Sequence, residues 1–163
     1  MSSENRFPLF GIMVGPCSPI LWAIAAPPKV AVKDGRMFKF LMPKSIKPPF
    51  ARYSHGVEIP AGKRLVLCSG QLGIAPDDAV PNDAGAQAAL CFQNIAAILD
   101  EAGMGLNDIV RINAYVTDRA YLRPYMDVRD RLFSDPAPAS TLMIVSGFAR
   151  PEFKVEIEAI AAG

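Results

Sequence analysis

The chain has 163 residues, 51% of them hydrophobic and 20% charged, enough to bury one sizeable core and too few for two. Its 17 lysines and arginines against 16 aspartates and glutamates are scattered, not gathered into basic runs, which argues against a nucleic-acid surface or a membrane-surface patch. Cys17, Cys68 and Cys91 are an odd, widely spaced set without a C-x-x-C pair, and His55 is the single histidine, so disulfide frameworks, thiolate zinc sites and imidazole metal triads are all disfavoured.

From Phe7 to Pro28 there is no charged residue, but Pro8, Gly11, Gly15, Pro16, Pro19, Pro27 and Pro28 break any helix long enough to span a membrane. Two readings of this stretch stay open. One is a signal peptide built on Ile20–Ala25; the other, preferred because Glu4 offsets Arg6 at the start, is an irregular tail. A third possibility is that the natural start is Met42. Residues 1–41 are accordingly expected to be an irregular extension of no assigned function, dispensable for stability, with the domain occupying 42–163 and its recognisable part running from about Arg52.

Tyr53–Ile59 has strand composition and is followed by the turn cluster Pro60-Ala61-Gly62-Lys63 and by a second strand, Arg64–Gly73, interrupted by glycine. The economical expectation is a hairpin. From Ala84 to Ala102 the apolar residues Ala88, Cys91, Ile95, Ile98 and Leu99 recur at helical steps, with Asp83 placed to cap the start and Gly103 to end it. Ile109–Val116 returns to alternation. A second helix is defined by Tyr121, Tyr125, Val128 and Leu132, with Pro124 tolerable in its first turn.

After Asp135-Pro136-Ala137-Pro138 come two more strands, Thr141–Val145 and Phe153–Ala161. In the latter Phe153, Val155, Ile157 and Ala159 line one face and Lys154, Glu156 and Glu158 the other. The expected order is β-β-α-β-α-β-β, an α+β domain with one mixed sheet and two helices on one face. The uncovered, partly polar face points to contact between subunits.

No G-x-S-x-G, G-x-G-x-x-G or P-loop pattern is present, which disfavours the familiar serine-hydrolase and nucleotide-cofactor chemistries. Tyr53-Ser54-His55-Gly56-Val57, Cys68-Ser69-Gly70-Gln71, Asn94-Ile95 to Gly103, Asp108-Ile109-Val110 and Lys154–Ala161 resemble, in order and spacing, the Rid (YjgF-like) family over the last two thirds of the chain. The resemblance implies a chorismate-mutase-like homotrimer with small-molecule clefts between subunits. In its best-known branch it implies hydrolysis of enamines and imines to 2-oxo acids and ammonia, without cofactor or metal.

Carried over by position, the resemblance makes Glu156 the water-placing carboxylate. It makes Tyr53, Ser69 and Gly70 ligand contacts. Where the deaminating branch has an arginine that holds the substrate carboxylate, this chain has Ser140, within Pro138-Ala139-Ser140-Thr141; Met126 and His55 depart from the pattern as well. Serine cannot replace a fixed, always-charged fork, so weak activity or altered specificity is expected. Ser140 itself is read as a polar cleft residue, since no base for a nucleophile is evident. His55 is read as a structural imidazole and Cys68 as strand packing.

Arg111, Arg123 and Arg129 are read as surface charges, any of which would be an alternative source of the missing cation. A non-catalytic trimer binding a small metabolite is the competing reading. An RNA-cleaving role ranks last on charge. The expected partners are further copies of the chain and a small ligand, with no nucleic acid and no membrane. The expected location is the cytoplasm.

Overall fold

The computed structural model describes residues 38–163; the readings made of Met1–Met37 lie outside the described residues. Eight elements strung in the order β-β-β-α-β-α-β-β form an α+β domain. They are β1 (Lys39–Leu41), β2 (Gly56–Glu58), β3 (Leu65–Leu72), α1 (Ala84–Glu101), β4 (Ile109–Val116), α2 (Leu122–Leu132), β5 (Ala139–Ile144) and β6 (Val155–Ala162).

The central sheet has the order β3-β6-β4-β5, antiparallel except for the parallel pair β4 and β5. Alternation decides which side of it is buried. On β4, Ile112, Ala114 and Val116 are fully buried, as are Val155, Ile157 and Ala161 on β6; they meet Ala88, Cys91, Phe92, Ile95 and Leu99 of α1 and Tyr125 and Val128 of α2. Both helices therefore cover one face, as the apolar periods predict. The opposite, open face carries Arg111, Asn113, Tyr115, Glu156 and Glu158 together with exposed Leu65, Leu67 and Met143.

The helix ends follow their local chemistry. The Asp83 side chain accepts from the Ala86 N–H at 2.7 Å, and α1 stops ahead of Gly103, which takes a left-handed φ of +66°. Gln87, fully buried on α1, donates to the carbonyls of Pro81 and Glu152 and accepts from the Lys154 N–H. It thereby ties the start of α1 to the entry of β6.

Two expectations need correction. The first concerns β2, which pairs with β1 (Lys39 opposite Glu58, Phe40 opposite Val57) and not with β3. The physical reason lies just upstream. Ser54 donates its N–H to Pro138 O and its hydroxyl to Ala137 O at 2.7 Å, fixing this stretch beside β5, whereas β3 is the far edge of the sheet.

The second correction concerns the extension, whose last residues are structured. Lys39–Leu41 is a strand, and Phe40 lines a small cavity with Leu106, Ile109, Phe133, Pro136 and Pro138.

Candidate functional site on the open sheet face

The site is organised by an irregularity in β3. Cys68 pairs with Ala159, but Gln71 pairs with Ile157, so Ser69 and Gly70 together stand opposite Glu158. This bulge brings Gly70 under the neighbouring side chain of Glu156. A β-carbon built on Gly70 would lie 1.9 Å from Glu156 Oε1 and 2.8 Å from its Cδ. Only glycine lets the carboxylate rest against the β3 backbone in this way.

Two charges of the same sign alternate on β6. Glu158 is held by two donors on Oε2, Asn113 Nδ2 at 3.2 Å and the Tyr115 hydroxyl at 3.1 Å. Among the described residues Glu156 has no such pair of donors. Its carboxyl is raised above the usual glutamate range, first by partial burial and second by the Glu158 charge. A carboxylate biased toward protonation, beside exposed backbone and facing open space, has the chemistry of a group that takes a proton from water and passes it on.

The remaining residues singled out from sequence lie elsewhere. Tyr53 sits at the β5 side, where its ring meets His55 edge-on at 6.1 Å, and Ser54 bridges to Ala139. Since β5 and β6 are separated by β4, Tyr53 and Glu156 are at least two strand spacings apart, about 10 Å, within one chain. His55 Nε2 is engaged by the Lys47 carbonyl at 3.0 Å, a structural contact. Arg123 pairs with Asp127 on the surface and Arg129 is buried beside Asp130, so neither reaches the open face.

Ser140 departs most from its expected place. It pairs in register with the fully buried Ile112, so its side chain shares the helix-covered side of the sheet. There its buried hydroxyl lies near that of Tyr125, and among the described residues neither has a partner of hydrogen-bonding geometry. Burial pushes the Tyr125 phenol up to about 12, with the Arg129 charge and the Ser140 hydroxyl acting in the opposite sense. Ser140 is thus on the wrong side of its own sheet to share a ligand with Glu156 of the same chain. A single chain unites Glu156, Ser69 and Gly70 and leaves Tyr53 and Ser140 apart.

The sequence model of the endoribonuclease L-PSP family matches residues 44–163. The chain belongs to this family. Protein DfrA of Myxococcus xanthus is 36% identical over 121 residues, covering 73% of this chain and 88% of its own length. Among solved structures, YyfB of Yersinia pestis, described as a member of the conserved Rid protein family, superposes with a TM-score of 0.68 at 27% identity, covering 77% of this chain and 98% of its own.

The structure of Escherichia coli TdcF with bound serine superposes with a TM-score of 0.57 at 28% identity over 71% of this chain and 91% of TdcF. The name of TdcF assigns it, provisionally, to the reactive intermediate deaminases. The Rid fold and its family are therefore those read from the sequence motifs. Among the described residues of this Rid-family chain, no helix is long and apolar enough to cross a membrane.

Proposed function

We propose that the chain is a Rid-type hydrolase acting on small 2-imino acids and their enamine tautomers. Water adds to the imine carbon, Glu156 takes its proton and delivers it to nitrogen, and the tetrahedral adduct collapses to a 2-oxo acid and ammonia. Atoms and charge balance without an oxidant or a cofactor. The observation that carries this reading is the Glu156 carboxyl, raised above its usual range and laid against the Ser69–Gly70 bulge. Ser69 and Gly70 would contribute main-chain contacts to the substrate, with Tyr53 and the region of Ser140 contributed by a neighbouring copy.

Assembly as a homotrimer with ligand sites between subunits belongs to the same proposal. It is supported by the open face, where Leu65 is 54% and Leu67 70% exposed beside a row of polar groups, and by the separation of Tyr53 from Glu156 within one chain. Activity in the cytoplasm is proposed on Cys68 and Cys91, which are free thiols. With serine at position 140, the reaction should be slow or shifted in specificity relative to family members that carry arginine there.

A non-catalytic trimer that binds a small metabolite is the second reading, favoured by a serine, and not an always-charged arginine, at position 140. Ammonia release from freshly generated 2-iminopropanoate and 2-iminobutanoate separates the two. The hydrolase accelerates release above the uncatalysed rate in proportion to protein concentration, and the binder does not.

A further inference from the structure

The connection from β1 to β2 is a loop whose two ends are paired, Leu41 lying opposite Gly56. Loops closed in this way pack on their own side chains and frequently carry a function of their own. The return limb is fixed to the domain: Arg52 donates from Nη1 to the carbonyls of Asp130, at 2.7 Å, and Phe133, at 3.3 Å, while Ser54 holds Ala137. The outgoing limb is tied to it by His55, whose Nε2 lies 3.0 Å from the Lys47 carbonyl.

Between the limbs lies a concavity of about 340 Å³, to which no strand of the central sheet contributes. Its wall is apolar, built from Met42, Ile46, Pro43, Pro48 and Pro49. Each proline fixes φ at about −65°, so the wall is largely set before a ligand arrives and little chain freedom is lost on binding. His55 closes one side, its ring held between the Lys47 carbonyl and the edge of the Tyr53 ring at 6.1 Å. Met42 and Ile46 are each 50% exposed, apolar surface that an apolar body would take out of water.

Charge selects the kind of body. Lys39 pairs with Glu58, Lys47 sits over the Phe50 ring at 4.7 Å, and Arg52 is occupied by carbonyls. Lys44 lines the concavity, is exposed, and has no partner among the described residues. No carboxylate lines the same space, so an anion finds an ammonium there while an α-ammonium finds no counter-charge. The imidazole is not a second anion partner. A carbonyl only accepts, so Nε2 carries the hydrogen and Nδ1 of the neutral ring offers none. The volume is at the lower end of the roughly 300–1,000 Å³ of small-molecule sites, and at about 30 Å³ per non-hydrogen atom it holds about ten such atoms.

We infer that the loop between β1 and β2 is a binding site for a small monocarboxylate with a flat or branched apolar body, its carboxylate at Lys44 and its body against Met42, Ile46 and the prolines. The assignment does not rest on the hydrolytic reading, because Ser69, Gly70 and Glu156 stand on β3 and β6.

Calorimetric titration of the full chain with 3-phenylpropanoate tests it. The acid should saturate with a dissociation constant on the order of 1 mM or below. Acetate, which lacks the body, and 3-phenylpropanamide, which lacks the charge, should each bind about tenfold more weakly or worse. Lys44→Gln should bring the acid down to the affinity of the amide and leave the amide unchanged. Ile46→Trp should fill the concavity and abolish binding of both, at unchanged circular dichroism and molar mass.

Backbone amide shifts of the parent locate the ligand without any variant: 3-phenylpropanoate should move signals within residues 42–55 and leave those of Ser69, Gly70 and Glu156 in place. Absence of saturation up to concentrations on the order of 10 mM overturns the assignment. So does an acid affinity unchanged in Lys44→Gln. So do shifts confined to β3 and β6, which would put the ligand on the open face.

Discussion

Glu156 occupies the space that a side chain on Gly70 would need, its Oε1 lying 1.9 Å from where a β-carbon would stand. The two residues come from neighbouring antiparallel strands, and the bulge at Ser69–Gly70 creates the contact. Gly70→Ala should therefore push the carboxylate aside while sparing the fold, because the atoms that must move are the far end of a flexible side chain. The expected cost in stability is about 1 kcal/mol, the scale of one displaced rotamer. Catalysis, in contrast, should fall by about 100-fold, the penalty typical of a reacting group misplaced by an ångström. Urea unfolding and ammonia release on the same preparation check both halves.

The raised carboxyl of Glu156 also has a signature in stability. For an acid whose folded pKa lies above its unfolded one, the native state binds more protons. Its contribution to stability is full below the ordinary glutamate value and is lost as pH rises through the raised value. Glu156→Gln removes that loss. The stability of the variant relative to the parent should thus increase between about pH 4 and about pH 7, measured by urea midpoints at both ends. A difference that is flat or decreasing with pH contradicts the assigned direction.

Ser140 gives an opposite pair of expectations. Its buried hydroxyl and that of Tyr125 lack hydrogen-bond partners, so Ser140→Ala and Tyr125→Phe should each leave stability within about 1 kcal/mol of the parent or raise it. Ser140→Arg, which supplies the arginine that the resemblance to the deaminating branch implies for this position, would instead drive a guanidinium into the side of the sheet where Arg129 is already buried. Melting temperatures should fall in that variant by an amount corresponding to about 3 kcal/mol or more, while the protein that remains folded should release ammonia faster than the parent, as a rate limited by serine at position 140 requires.

Phe40 of β1 lines a small cavity with Leu106, Ile109, Phe133 and the two prolines of the β5 approach. Truncating its ring should cost about 1–2 kcal/mol, less than a fully buried phenylalanine because the residue is only partly buried. Thermal unfolding of Phe40→Ala measures it. An unchanged melting temperature would show that β1 contributes nothing to the domain.

These residues also show what could be read in advance. The faces of β4 and β6 were legible because Ile112, Ala114, Val116 and Val155, Ile157, Ala159 alternate strictly, and α1 because Asp83 and Gly103 punctuate a helical period. The strand Lys39–Leu41 was not, since three residues make no period and its partner lies 15 or more positions downstream. The hairpin expected of β2 and β3 failed for a related reason: the hold of Ser54 on Ala137 and Pro138 is a contact across more than 80 residues.

At the site, the glycine in β3 was visible, but its purpose depends on Glu156 in another strand. The side chosen by Ser140 follows from its register with Ile112, and the bonds of Arg111 from what β5 brings beside it. Local pattern carries the faces of the elements; pairing between distant strands decides which polar groups meet.

The most direct test of the account is the rate of ammonia release from freshly generated 2-iminopropanoate by the parent chain and by Glu156→Gln, at matched concentration and with folding verified by circular dichroism. Release by the parent is expected above the uncatalysed rate, with the variant indistinguishable from the protein-free control. Equal acceleration by the two proteins would remove Glu156 from the chemistry and contradict the account.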